Sequence, residues 1–254
     1  MRKVIGNLIL TCAVIACTFA GQANANTISI NFNGGGQQLS ASTNAGVVSV
    51  DNWNNINNIS GTGVALVDNT GASSAATVTY SGYGTFDGYK SPATTDAGTN
   101  TLYQGGLWGH DASKEVSVTV SGITYGSYNV YVYWGAGFNS TYTMGLTTPN
   151  GSYYSKSNTG DADGDKSLTQ ITSQTSGSPT QADAGYTLFS YSGASFTVST
   201  TGSIIPGGVS NQIYGIQVQD IGVPPVPEPS TFALLGLGGL GLAIRAYRRR
   251  ASAV

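Results

Sequence analysis

Short runs of alternating apolar and polar residues, closed by glycine or asparagine, constrain this chain more than any other feature. In Val116-Ser117-Val118-Thr119-Val120 apolar residues recur at every second position, the period of a strand with one face inward. Tyr128-Asn129-Val130-Tyr131-Val132-Tyr133-Trp134 repeats that period after a turn signal at Tyr125-Gly126-Ser127. One face carries Tyr128, Val130, Val132 and Trp134, the other Asn129, Tyr131 and Tyr133. The two runs read as an antiparallel pair, with Gly122 and Gly126 punctuating the connection. Further strands are expected at residues 28–32, 47–50, 64–67, 76–80, 141–146, 168–173, 186–191, 195–200 and 212–219.

Such a series predicts an all-β fold: an antiparallel two-sheet sandwich, jelly-roll-like, forming one ectodomain over residues 26–222. Composition narrows the choice further. With 36 glycines and only 9% charged residues, the chain lacks the glutamate, lysine and leucine of a helical bundle. Its 40% hydrophobic and 10% aromatic content supplies a core, which excludes charged disorder.

Charge is distributed unevenly. Between residues 26 and 228 the basic side chains are Lys90, Lys114, Lys156 and Lys166, against all 12 acids of the chain. Nucleic acid is thereby excluded as a partner, because neutralising phosphates takes clustered lysine and arginine. The remaining basic residues lie at the two ends, and both ends read as addresses. Arg2 and Lys3 precede a mostly apolar stretch, and Ala23-Asn24-Ala25 places small residues where a signal peptidase reads them. Residues 1–25 are thus expected to be a signal helix, with Ala23 and Ala25 setting the cleavage. Val14-Ile15-Ala16-Cys17 also resembles a lipoprotein cleavage box that would leave Cys17 lipidated. Both cysteines, Cys12 and Cys17, precede the ectodomain, which therefore has no disulfide or thiolate metal site.

At the other end, residues 223–230 form a proline-rich stalk that can be neither helix nor central strand. An apolar run from Phe232 to Ile244 leads into Arg245, Arg248, Arg249 and Arg250. As a helix it covers about 20 Å of a roughly 30 Å hydrocarbon core. Residues 231–254 are therefore expected to be a short transmembrane helix with an arginine-rich cytoplasmic tail. Val226-Pro227-Glu228-Pro229-Ser230, the glycine-rich apolar segment and the arginine cluster together resemble the PEP-CTERM sorting signal. That resemblance covers only the last 30 or so residues and implies an exosortase-type processing protease as partner. It also implies a transient membrane stage through the C-terminal helix, then delivery to the cell surface or extracellular matrix. It implies nothing about activity in residues 26–222.

Within the ectodomain, Asp161, Asp163 and Asp165 have the spacing of a calcium loop, with carboxylates at alternate positions. Lys166 stands where the sharp-turn glycine belongs and Thr172 where the bidentate acid belongs, so a solvated acidic turn is the competing reading. Exposed aromatic rings stack on the apolar face of sugars. Tyr131 and Tyr133 on one strand face, with Tyr103 and Trp108 in loops, are candidate glycan contacts. Tyr83, Phe86 and Tyr89 are further loop aromatics, and core packing is the competing role for all of these rings, as for Trp53 and Trp134. Catalysis is poorly supplied, since His110 is the one histidine and no Gly-x-Ser-x-Gly elbow occurs. These features point to a surface-sorted, non-catalytic structural or adhesive protein of the cell envelope or polysaccharide matrix. A carbohydrate-binding module is the first alternative and a glycoside hydrolase the second.

Overall fold

β-Branched and aromatic residues at alternate positions favour extended backbone, and strands dominate the computed structural model. It describes residues 26–35, 38–86, 96–110, 115–136, 143–156, 168–182, 184–201 and 211–222. In chain order the elements begin with β1 (Thr27–Phe32), β2 (Asn54–Ile56), β3 (Ser60–Val67), β4 (Ser73–Ser81) and β5 (Gly84–Phe86). A short helix α1 (Ala97–Leu102) precedes β6 (Gly106–Trp108), β7 (Ser117–Ser121), β8 (Tyr128–Ala136), β9 (Thr143–Thr148) and β10 (Gly151–Lys156). The series closes with β11 (Thr169–Gln170), β12 (Thr180–Gln181), β13 (Gly185–Tyr191), β14 (Ser195–Thr201) and β15 (Asn211–Asp220).

Two sheets result. The first runs β11-β13-β8-β15-β1-β2, with β6 pairing β15 and β5 pairing β6; the second runs β12-β10-β9-β14-β7-β4-β3. Between them lies the main core, to which β8 contributes Tyr128, Val130, Val132 and Trp134 and β7 contributes Val118 and Val120. The alternation in β8 is thus read correctly from the sequence, but the pairing of these two runs is not. β7 lies between β14 and β4, while β8 lies between β13 and β15 in the other sheet. The two apolar faces meet across the sandwich instead of lying side by side, and residues 122–127 carry the chain from one sheet to the other. Period two identifies a strand and its inward face; it does not name the neighbour.

Other expectations are corrected in detail. Pairing is mostly antiparallel, but β1–β2, β10–β12 and β11–β13 are parallel. Residues 47–50 form no strand and are held by an isolated bridge between Ala45 and Val50. The signal helix expected over residues 1–25 and the membrane helix expected over 231–254 lie outside the described residues. Among the described residues the helix α1 spans six residues, and none is long and apolar enough to cross a membrane. Among the described residues the fold supported is all-β and two-sheeted, and no helix there could serve as a signal or membrane helix or carry the membrane partnership assigned to the C-terminal one.

The outer face of the first sheet is covered. Tyr131 and Tyr133 project there and join Leu39, Ala45, Trp53, Leu102, Tyr103 and Tyr214 in a second core. Residues 38–53 and α1 form its lid. Asp96 caps α1, accepting from the backbone N–H of Gly98 at 3.1 Å and Thr99 at 3.3 Å, which satisfies donors that a helix start leaves open. Every residue of β1 is buried, including Thr27, Ser29 and Asn31. Buried amides and hydroxyls need partners, and β2 supplies several of them. The Asn31 Nδ2 donates to Asn55 Oδ1 at 2.9 Å, while Asn55 accepts from Leu39 N at 3.0 Å and donates to Leu39 O at 2.8 Å. Asn54 donates to the carbonyls of Ser29 and Val67, both at 2.9 Å, tying β1 to β3.

The strand directions define two poles. β1 and β15 run antiparallel with Thr27 opposite Gln219, and Asp220 N donates to Asn26 O at 2.8 Å. The chain therefore enters the sandwich at residue 26 and leaves it at residue 222 from one end, the tail pole. Short reversals close this end, such as the turn in which Asp68 N donates to Ala72 O at 2.9 Å. At the opposite end, the loop pole, β8, β14 and β10 terminate and β15, β9 and β7 begin. Segments 111–114, 137–142, 157–167 and 202–210 lie outside the described residues.

Buried phenols at the tail pole make stability sensitive to alkali. Burial first, then the charges of Asp220 and Asp68, pushes the Tyr125 hydroxyl up to about 12. Burial and the neighbouring Tyr191 push Tyr128 up to about 12 as well. An ordinary phenol ionises near pH 10, so between about pH 10 and about pH 12 the unfolded chain releases protons that the folded one retains. Stability is expected to be unaffected by these groups below about pH 10 and to fall through that window. Phenolate absorbance and far-ultraviolet circular dichroism, followed together, check this: the two should change in one cooperative step. Phenolate appearing well before any loss of structure would contradict it.

Candidate functional site

Of the four candidate glycan contacts, three are interior. Tyr103 and Tyr133 are fully buried and Tyr131 nearly so. The Tyr133 hydroxyl accepts from Val47 N at 2.7 Å and donates to Gln217 Oε1, and burial holds it protonated far above the ordinary phenol range. Tyr131 donates to Gln219 Oε1 at 3.1 Å and Tyr103 to the carbonyl of Gly185 at 2.9 Å. Tyr103 packs edge-on against Tyr133 with centroids 6.2 Å apart, and Trp53 lies at the same distance on another side. The lid occupies the ring faces that a sugar would need. Trp53 and Trp134 are buried, in the packing role the sequence offered them.

The fourth, Trp108, stands apart. It ends β6 at the loop pole, half-buried, with its backbone opposite Gln212 of β15 and Gly84 of β5. Glycine at position 84 is what lets the indole lie against β5: a Cβ there would fall 2.6 Å from Nε1 and 2.8 Å from Cε2. Tyr83 meets Trp108 edge-on at 4.8 Å between centroids, and Tyr83 N donates to Trp108 O at 2.8 Å. His110 completes the group, 4.9 Å from the Tyr83 ring and 6.3 Å from Trp108. Ile59 is joined to the same segment through its backbone, its carbonyl accepting from Gly82 N at 2.9 Å. Tyr83 is 43% and Ile59 51% exposed, so the group is a surface patch with a backbone-fixed base.

Sequence reading singled out Trp108 but left Tyr83 among the loop aromatics and His110 as a loop side chain. Glycines flank these rings in Gly82-Tyr83-Gly84 and Leu107-Trp108-Gly109-His110. Glycine beside an aromatic leaves room for the ring to lie along backbone, and that pattern is the signal that could have grouped them.

Asp161, Asp163 and Asp165 lie outside the described residues. Among the described residues no group of His, Cys, Asp and Glu is placed to hold a metal ion. The described carboxylates have local roles. Asp68 accepts from the Thr70 hydroxyl at 2.6 Å and from the amides of Thr70 and Ala72, which holds its carboxyl below the usual range. Asp220 accepts from Gly222 N at 2.8 Å. A cavity of about 210 Å³ at the tail pole is lined by Asn26, Asp68, Ser73, Ser74 and Tyr125 among others; its one carboxylate is the one occupied in the Asp68 turn.

The fold and these surfaces define a two-sheet, all-β domain with residues 26 and 222 at one pole. Beyond that domain, residues 225–250 carry a PEP-CTERM protein-sorting motif, in agreement with the resemblance noted from the sequence. It begins three residues past the last described position and lies outside the described residues. No curated protein and no solved structure matches the chain.

Proposed function

We propose that the chain is an exported, surface-sorted protein with a non-catalytic structural or adhesive role in the cell envelope or extracellular polysaccharide matrix. Residues 1–25 serve as a cleaved signal peptide, residues 26–222 as the ectodomain, and residues 223–230 as the stalk that enters the sorting motif. An exosortase-type protease is the partner that reads the motif, with Val226, Pro227, Glu228, Pro229 and Ser230 at its head. The observation that carries this reading is the motif at 225–250 following directly on β15. Its setting supports it: residues 26 and 222, which border the signal and the tail in sequence, lie at the same pole. The loop pole faces away from both. A domain held this way can be processed at its ends while its working surface stays unobstructed.

Replacing Pro227, Glu228 and Pro229 together by alanine tests the sorting step. Antibody labelling of intact cells is expected to detect the unaltered protein and to lose the variant, with equal amounts of both in whole-cell extracts. Equal surface labelling would overturn the reading.

A further inference from the structure

We propose that the outer edge of β3 pairs with the β3 of a second copy of this chain, joining two domains edge to edge. A strand at the border of a sheet leaves a row of backbone N–H and C=O groups open, and folds blunt such rows by keeping border strands short or charged. Among the described residues the other strands that pair on one side only are β2, β5, β11 and β12, and each has two or three residues. β3 has eight, pairs only with β4, and carries no charged side chain and no proline. Bonds around the strand locate its open groups. Ile59 O accepts from Gly82 N at 2.9 Å and Leu66 O from Ser74 Oγ at 2.8 Å, both on the β4 side. Val67 faces the other way, its N–H donating to Asn54 Oδ1 and its carbonyl accepting from Asn54 Nδ2, both at 2.9 Å. Backbone groups alternate sides along a strand, so Ser60 and Ala65 turn theirs outward, while the Asn54 amide covers Val67. The bulge between Ser60 and Ala65 is taken up on the inner side, where Gly63 N donates to Thr79 Oγ1 at 3.0 Å.

The occupant follows from the character of the strand. Residues 57–67 hold no charge, within a stretch (26–228) where 12 acids stand against four lysines. A second copy therefore brings no like charge against this strand, where opposed like charges would be unfavourable. The edge also supplies its own complement. Two β3 strands run antiparallel about a two-fold axis, so that Ser60 of each copy lies opposite Ala65 of the other and each such pair exchanges backbone bonds. Ile59 and Val64, two of the five large apolar side chains exposed among the described residues, lie beside and on the strand and lose water in the pair. Pairing along Ser60–Ala65 is a small interface, at the transient end below about 1,200 Å², so association is weak in free solution. Display of many copies on one surface, as proposed above, raises their effective concentration, but the pairing itself is independent of that reading.

Sedimentation velocity of the mature protein, from micromolar to millimolar concentration, tests the proposal. A monomer–dimer equilibrium is expected, closing at the dimer because a two-fold pair uses up both edges. Thr62→Lys sets two like charges near the centre of the pair and should weaken it about tenfold. Ala65→Pro removes an outward N–H and none that bonds β4, and should weaken the pair at least as much. Thr197→Lys adds the same charge on the outer face of β14, between the core residues Phe196 and Val198, and should leave the dimer unchanged. Circular dichroism checks that each variant is folded, and Thr62, exposed on the strand, still reads the site if Ala65→Pro does not fold. In the unaltered protein, amide exchange at Ser60 and Ala65 should slow as concentration rises, because the pair closes these groups from water. A protein that stays monomeric across the range would overturn the proposal, as would growth beyond the dimer or a dimer equally strong in all variants. A dimer whose Ser60 and Ala65 amides exchange as fast as those of the monomer would overturn it too, assigning association to another surface.

Discussion

Replacing Trp134 by alanine is expected to cost about 3–5 kcal/mol of folding stability, the range for removing a large aromatic side chain from a packed core. Trp134 is completely buried in the main core, on the strand that pairs with both β13 and β15. Its indole N–H donates to the Thr187 hydroxyl at 2.9 Å. The alanine variant therefore leaves a cavity between the sheets and a buried hydroxyl short of one partner. Collapse around the site is limited, because a sheet held by ladders on both sides of β8 cannot move one strand without breaking another. Urea unfolding checks this through a lower midpoint at unchanged slope. Trp134→Phe should recover much of the loss and retain the cost of the unpaired Thr187. A midpoint near that of the unaltered protein would show that the two sheets do not pack as described.

The second large effect falls on the lid. Gln217 is completely buried on the outer face of the first sheet. Its Oε1 accepts from the Tyr133 hydroxyl and from Val48 N at 3.3 Å, and its Nε2 donates to Val48 O at 2.8 Å and Ser29 Oγ at 3.2 Å. Gly46, in the left-handed region at φ 84°, lets the lid pass this close: a Cβ there would fall 2.5 Å from the Gln217 oxygen and 2.6 Å from the Tyr133 hydroxyl. Gln217→Leu keeps the shape and deletes every bond. Each buried polar group left unpaired costs about 1–3 kcal/mol. Water reaches part of the lid at Val48, so a total of about 2–4 kcal/mol is expected. Because the loss concentrates between lid and sheet, amide hydrogen exchange should accelerate most at Val47 and Val48 while the β8–β13 ladder stays protected. Uniform acceleration would mean that the lid and the sandwich open as one unit.

These two sites mark where the sequence was legible and where it was not. The alternation in residues 128–134 announced both the strand and its inward face, because an unbroken period of two leaves little choice of which side chains go in. Its second face, with Asn129, Tyr131 and Tyr133, left glycan contact and core packing both open for the two tyrosines. In the structure Tyr131 and Tyr133 are interior. Polar side chains on alternate positions say only that hydrogen bonds must be made: Gln217 makes its bonds with Val48 of a lid that precedes β2 and with Ser29, while Asn31 bonds Asn55 of β2. The amide cluster Asn52, Asn54 and Asn55 bonds Asn69, the strands β1 and β3, and Leu39 of the lid, and its role depends on contacts far away in sequence that no local period encodes. The pairing of residues 116–120 with 128–134 failed for a related reason: a short glycine-containing link serves a hairpin and a crossover between sheets alike. The exposed patch was half legible. Trp108 was singled out by residue type, but Tyr83 and His110 join it only through the β5–β6 pairing, and neither short strand has enough residues to show a period.

The central claim is that this all-β domain is a substrate of C-terminal sorting, and the intact mass of the protein recovered from the cell surface or medium tests it most directly. The account predicts a species that starts near Asn26 and has lost the end of the chain through cleavage within or beside the Pro227-Glu228-Pro229 motif. A surface species that still carries residues 225–254 intact would contradict it.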